Sequence, residues 1–178
     1  MGREVRRVIP KWDHPTDENR GGFRPLYDNG INQAWLEWLC AWNRWKEGGD
    51  DSQKKHGYTR SYSDFVGYYG TSPDPDTHRP DWEDKDRTWL QVYETVSEGT
   101  PVSPPFPTKE ELARWLTDFP RGDGKYRGIY VSPDQDRHLS YNEWLKWIEI
   151  GWAPSMMIIP GKGVRIGAEA MIDTEEAD

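Results

Sequence analysis

The chain has a single cysteine, few aliphatic residues and no long apolar run, and each shortage excludes a class of protein. Cys40 has no second thiol to pair with, so no internal disulfide staples the fold, and a reducing compartment suits it. The longest apolar stretch, Met156–Ile159, is far short of the roughly 20 residues that span a bilayer, which excludes a membrane helix. Behind Met1, the run Gly2-Arg3-Glu4-Val5-Arg6-Arg7 lacks the apolar centre of a secretory signal, and Arg6 stands where a myristoylation motif needs Ser or Thr. Cations are also in short supply, 23 Lys and Arg against 31 Asp and Glu, for a net charge of −8. Direct nucleic-acid binding rests on clustered Lys and Arg against phosphates, so this balance disfavours it. Motifs are missing as well: no GxSxG, HExxH, CxxC pair or dinucleotide fingerprint occurs. Pro160-Gly161-Lys162-Gly163 lacks the spacing and the following helix of a phosphate loop. No catalytic residue, metal or cofactor is therefore assigned.

What the chain does have is aromatic surface. Apolar residues make up only 34% of it and charged residues 30%, a balance that would favour disorder were it not for eleven Trp, nine Tyr and four Phe. Each ring buries on the order of 150–250 Å² when packed, so few of them suffice for a core. The expected fold class is α+β: about four amphipathic helices packed with a small antiparallel sheet, built from the N-terminal strand and a C-terminal hairpin. One Trp-rich domain is expected over residues 1–172, with a long surface excursion at 50–80 and an acidic, frayed tail at 173–178.

The elements follow from spacing and punctuation. Glu4-Val5-Arg6-Arg7-Val8-Ile9 reads as an edge strand ended by Pro10. Trp35, Trp38, Leu39, Trp42 and Trp45 recur at three and four, which predicts a helix over Ile31–Glu47, capped by Asn29 and ended by Gly48-Gly49. Trp89, Leu90, Tyr93 and Val96 predict a second helix over Glu83–Ser97, and short helical turns are expected around Ser61–Tyr69. Four prolines between Pro101 and Pro107 make a stiff strut. Thr108 with Glu111, and Ser140 with Glu143, are capping boxes that open two further helices. Met156–Ile159 and Val164-Arg165-Ile166 read as a hairpin that can pair with the N-terminal strand.

Several residues have a chemical reading beside a plain one. The segment 132–143 places Asp134, Asp136, Leu139, Ser140 and Glu143 on an EF-hand pattern, but Ser132 replaces the first Asp and Arg137 the turn Gly, so a polar turn feeding a capped helix is the better reading. His14, His56, His78 and His138 lie in separate loops and read as solvated, and Cys40 reads as a small buried hydrophobe among the helical indoles. Trp35, Trp38, Trp42, Trp89, Trp115 and Trp144 read as core. The loop aromatics Tyr58, Tyr62, Tyr68, Tyr69 and Trp82 are the interface candidates, since Trp and Tyr dominate binding hot spots. Beside them runs the densest acid cluster, Asp74, Asp76, Asp81, Glu83, Asp84 and Asp86, which either solvates the surface or presents carboxylates to a basic protein.

The run Gly2-Arg3-Glu4-Val5-Arg6-Arg7-Val8 with Pro10, Trp12, His14 and Pro15 resembles the opening of a family of uncharacterised proteins encoded by tailed phages and prophages. The resemblance resumes at Pro80-Asp81-Trp82, at Ser97-Glu98-Gly99-Thr100-Pro101-Val102-Ser103-Pro104 and at Glu110-Glu111-Leu112-Ala113-Arg114-Trp115-Leu116. It implies a setting, the host cytoplasm, and no catalytic residues. The expectation drawn from it is a non-catalytic binding protein that inhibits a host defence protein, itself a possible nucleic-acid binder, through an acidic and aromatic surface. Two alternatives stand beside it: an enzyme acting on a nucleotide or nucleic acid with residues from His14, His78, Asp81 and Glu98, and a minor component of phage assembly.

Overall fold

A computed structural model describes residues 2–17, 21–95, 99–129, 139–154, 156–159 and 163–166. In chain order the elements are β1 (Arg3–Val8), β2 (Tyr27–Gly30), α1 (Ile31–Glu47), α2 (Asp51–His56), α3 (Tyr62–Tyr69), β3 (His78–Arg79), β4 (Trp89–Glu94), β5 (Thr100–Pro101), α4 (Lys109–Asp118), α5 (Tyr141–Ile150), β6 (Trp152–Ala153), β7 (Met156–Ile159) and β8 (Gly163–Ile166). The class is α+β. By internal contacts the chain divides into two compact units, one made of Met1–Pro25 with Trp82–Asp178 and the other of Leu26–Asp81.

The first unit is built on a four-stranded antiparallel sheet of order β5-β4-β1-β6. Along β1 and β4 the register runs from Arg3 opposite Glu94 to Val8 opposite Trp89. The Glu83–Ser97 helix predicted from spacing is not formed: Asp84–Asp86 makes a 3-10 turn and Trp89–Glu94 is the strand β4. Its partner β1 lies about eighty residues away in sequence, and this pairing satisfies the backbone while Gln91, Val92, Tyr93 and Glu94 are all buried. Two buried polar groups on β4 are held: Gln91 Nε2 donates to the Ser103 carbonyl at 2.8 Å, and the Tyr93 hydroxyl donates to Gln91 Oε1 at 2.8 Å. Arg3 and Glu94 make a buried cross-strand ion pair at 2.9 Å. Burial holds the Arg3 guanidinium below its ordinary pKa, with Glu94 pulling the other way.

Helices α4 and α5 pack on this sheet through Leu112, Trp115, Leu116, Trp144, Trp147 and Ile148, all buried. Both start where the capping boxes place them. Thr108 accepts from the Glu111 N–H, and at Ser140 the reciprocal bonds of a full box are present. Trp115 and Trp144 are core residues, as expected, whereas Trp89 is half-buried. The expected C-terminal hairpin forms over β7 and β8, but as its own two-stranded ladder; the C-terminal strand that pairs with β1 is β6. The turn 160–162, the calcium-like stretch 132–138 with His138, Glu98, and the tail 173–178 lie outside the described residues.

The second unit answers the question posed by the polar stretch 50–80. That stretch contains two helices, α2 and α3, and α3 packs on α1 through Phe65, whose buried ring meets Trp38, Trp42 and Trp45 at 5.2, 5.0 and 5.8 Å. Local caps form each short helix: Asp50 accepts from the Ser52 N–H and Ser61 from the Asp64 N–H. The long helix α1 lacks the Asn29 cap that its sequence suggests. Its N-cap is Gly30, and the carboxylate that meets the first turn is Asp81, which accepts from the Asn32 N–H at 3.2 Å across 49 residues.

Candidate functional site

The indole stripe on α1 is not all core. Trp45 is fully buried and Trp38 and Trp42 are half-buried against Phe65, but Trp35 is exposed. Cys40, expected inside, is exposed as well, because the helix turns it away from α3. Around the buried Trp45 ring stand three tyrosines, Tyr58 at 5.8 Å, Tyr68 stacked at 5.9 Å and Tyr69 edge-on at 6.0 Å. Each keeps a large part of its ring in solvent. Tyr62 sits apart from these, edge-on to Trp42 at 5.4 Å, and is also exposed. The four tyrosines expected as loop aromatics are thus exposed side chains on one unit, rooted on an indole and phenyl cluster, but Tyr62, Tyr68 and Tyr69 stand on α3 and only Tyr58 in a loop.

Tyr69 is tied down further. Its hydroxyl donates to Asp50 at 2.6 Å, and that bond raises its pKa while helping to lower that of Asp50, where the Ser52 hydroxyl is the larger cause. Tyr69 also lines an open groove of about 660 Å³. The floor is one face of α1, where Ala34, Trp38 and Ala41 recur at helical spacing and the two alanines leave the depth. Tyr27, Asp74 and His78 line it as well. A volume of this size falls in the range of ligand and side-chain pockets. Within it, Glu37, Arg44 and Asp74 supply charge and His78 a ring nitrogen, which meets Asn29 Oδ1 at 3.0 Å.

The acid cluster read from the sequence is divided between the units. Asp74, Asp76 and Asp81 belong to the second, and Trp82, Glu83, Asp84 and Asp86 to the first. Asp74 caps the 3-10 turn Pro75–Thr77 by accepting from the Asp76 N–H at 2.9 Å, and Asp76 itself is exposed. Asp81 is occupied by the terminus of α1. In the first unit Glu83 pairs with Lys85 at 2.5 Å, Asp84 with Arg87 at 3.6 Å, and Asp86 is exposed. Trp82 is half-buried and edge-on to Trp12 at 4.7 Å, so it is less open than the tyrosines.

The histidines separate in the same way. His14, expected in solvent, is buried in the first unit, ringed by Trp12, Phe23 and Tyr93. Its Nε2 lies 2.6 Å from the Arg24 carbonyl and its Nδ1 3.3 Å from the Tyr93 hydroxyl. Burial, reinforced by the nearby charges of Arg6 and Lys125, lowers its pKa to about 4. His56 is exposed and His78 lines the groove. Among the described residues no three of His, Cys, Asp and Glu converge as a metal set, and no helix is long and apolar enough to cross a membrane.

No motif in the sequence marks the groove. The signal was available in α1, whose apolar residues Ala34, Trp35, Leu36, Trp38, Leu39, Ala41, Trp42 and Trp45 occupy far more than the one stripe a single packing face needs. No protein-family model, no curated protein and no solved structure matches the chain.

Proposed function

We propose that the protein acts by binding a basic protein through the Leu26–Asp81 unit, with the exposed tyrosines and the groove beside them as the contact surface. One observation carries this reading: Tyr58, Tyr68 and Tyr69 are partly exposed around a buried Trp45, and Tyr69 lines, together with Asp74, a groove beside them. Large, rigid rings set on a packed base lose little conformational entropy on contact, which is why such residues dominate interfaces. Exposed Asp76 and the net charge of −8 favour a cationic partner and speed encounter with it. The resemblance to tailed-phage proteins supplies the setting, in which the partner is a host protein in the host cytoplasm, a defence factor that itself binds nucleic acid, and the outcome is its inhibition.

The test is a tagged full-length chain expressed in a bacterial host, with the captured protein purified and titrated. Tyr68→Ala and Asp74→Lys should each weaken the complex at least about tenfold, or roughly 1.4 kcal/mol, and the affinity should fall with added salt. An affinity unchanged by both substitutions would remove this surface from consideration. The groove also supports a second reading, because His78 lines it: an enzyme acting on a nucleotide, with His78 as the base. That reading requires turnover that His78→Ala abolishes.

A further inference from the structure

A second side of α1 is apolar and open. Leu36 is 59% exposed, Leu39 42% and Trp35 37%, and Cys40 is exposed too. Leu36, Leu39, Cys40 and Asn43 fall at i, i+3, i+4 and i+7, which makes them one stripe on the helix. Part of that stripe is dished. Gln33, Leu36, Glu37, Cys40, Asn43 and Arg44 line a shallow depression of about 590 Å³.

Charge along the helix is ordered about Cys40. Glu37 stands on its N-terminal side and Arg44 on its C-terminal side, with Gln33 and Glu47 farther out at equal distances in sequence. A partner helix running parallel in register would face Glu37 with Glu37 and Arg44 with Arg44. The opposite direction reverses this. With a rise of about 1.5 Å per residue, Glu37 lies about 4.5 Å to one side of Cys40 and Arg44 about 6 Å to the other.

We infer that a second copy of this chain covers the stripe, α1 against α1, antiparallel about a two-fold axis at Cys40. Such an interface is self-complementary, so each feature counts twice. Glu37 of each copy, which accepts from Gln33 Nε2 of its own helix at 2.7 Å, lies opposite Arg44 of the other, and the two helix dipoles oppose one another. Leu36 of each copy enters the other's dish, between Cys40 and Arg44. The stripe is short, so the dimer is a weak and reversible one. It does not rest on the function proposed above, although Glu37 and Arg44 border both the depression and the groove; Leu36 and Cys40 line the depression alone, so Leu36→Glu tests the dimer without touching the groove.

Sedimentation of the intact chain from low micromolar to several hundred micromolar decides the matter, read together with a short bismaleimide that bridges two Cys40 thiols. The expected result is a concentration-dependent dimer that crosslinks. Leu36→Glu, at an exposed position and checked for folding by its thermal melt, should weaken it at least about tenfold. Glu37→Arg should weaken it as well, and adding Arg44→Glu to that variant should restore it. Three results overturn the inference: a monomer at every concentration, a dimer indifferent to Leu36→Glu, or a charge reversal that the second reversal does not rescue.

Discussion

Gly30 and Asp81 explain each other. The Gly30 backbone, at φ −68 and ψ 157, is conformationally ordinary, and any residue could adopt it. A Cβ there, however, would lie 2.1 Å from Asp81 Oδ1, so the glycine is needed for the carboxylate that meets the first turn of α1. Gly→Ala at a compatible position usually stabilises by about 0.4–1 kcal/mol. Here the expected effect has the opposite sign, a loss of about 1–2 kcal/mol as the cap is displaced, measured by denaturation followed through the helical signal. In an Asp81→Ala background the same change should cost almost nothing. His14 makes a second prediction at this scale. Its folded pKa is about 4 against an ordinary 6.5, so the folded state holds the ring neutral and the unfolded chain binds the proton more readily. Stability from this residue is therefore complete above pH 6.5 and is lost as pH falls toward 4, by up to about 3 kcal/mol. Replacing His14 with Gln should flatten the stability profile over that window, and an unchanged acid limb would show that the burial is not felt. The buried pair of Arg3 and Glu94 makes a third. Glu94→Gln removes the carboxylate charge opposite a buried guanidinium and should destabilise the first unit by about 3 kcal/mol, while the double change Arg3→Met with Glu94→Leu should recover most of the loss.

At the scale of elements, short-range signals were legible and long-range ones were not. Ser140 and Glu143 are three residues apart, and their reciprocal bonds are written in the local sequence, so the start of α5 could be read directly. Ser140→Ala should lower the melting free energy by about 1 kcal/mol, a shift visible in the thermal unfolding of the full chain. The start of α4, where Thr108 caps through its hydroxyl alone, and the spacing that defines α1 were legible in the same local way. Strand β4 is the contrary case. Trp89, Leu90, Tyr93 and Val96 fit a helical period, and what makes Trp89–Glu94 a strand is pairing with β1, a partner far off in sequence. The buried state of His14 was hidden for the same reason, since the rings of Phe23 and Tyr93 that enclose it are brought in by tertiary structure. Of the candidate site, the exposed tyrosines were legible as aromatics near acids. The groove was not, because its depth comes from Ala34 and Ala41, residues that carry no chemical signal of their own. Asp81 read as one of an acid run, and only the fold reveals its use at a helix terminus.

At the scale of the whole molecule, the second unit is a continuous insertion into the first. Residues 1–25 and 82–178 supply the sheet and the α4 and α5 layer, and residues 26–81 supply α1, α2 and α3. Each has its own aromatic centre, Trp144 with Trp147 in one and Trp45 with Phe65 in the other. Inserted units of this kind can be removed where the host core does not depend on them. Replacing 26–81 with a Gly and Ser linker should leave a chain that still melts cooperatively and keeps the near-ultraviolet dichroism of the buried Trp144 and Trp147. Loss of both would show that the first unit cannot fold without the insertion.

The bond from Asn32 to Asp81 also sets an order of events. During synthesis α1 leaves the ribosome with its first N–H groups bare, and the carboxylate that receives one of them is the final residue of the unit, 49 positions later. A nascent chain stalled or cleaved before residue 81 holds all of α1, α2 and α3 and yet has an open helix terminus. The seal closes only on a finished unit, so completeness of the segment is registered at its beginning.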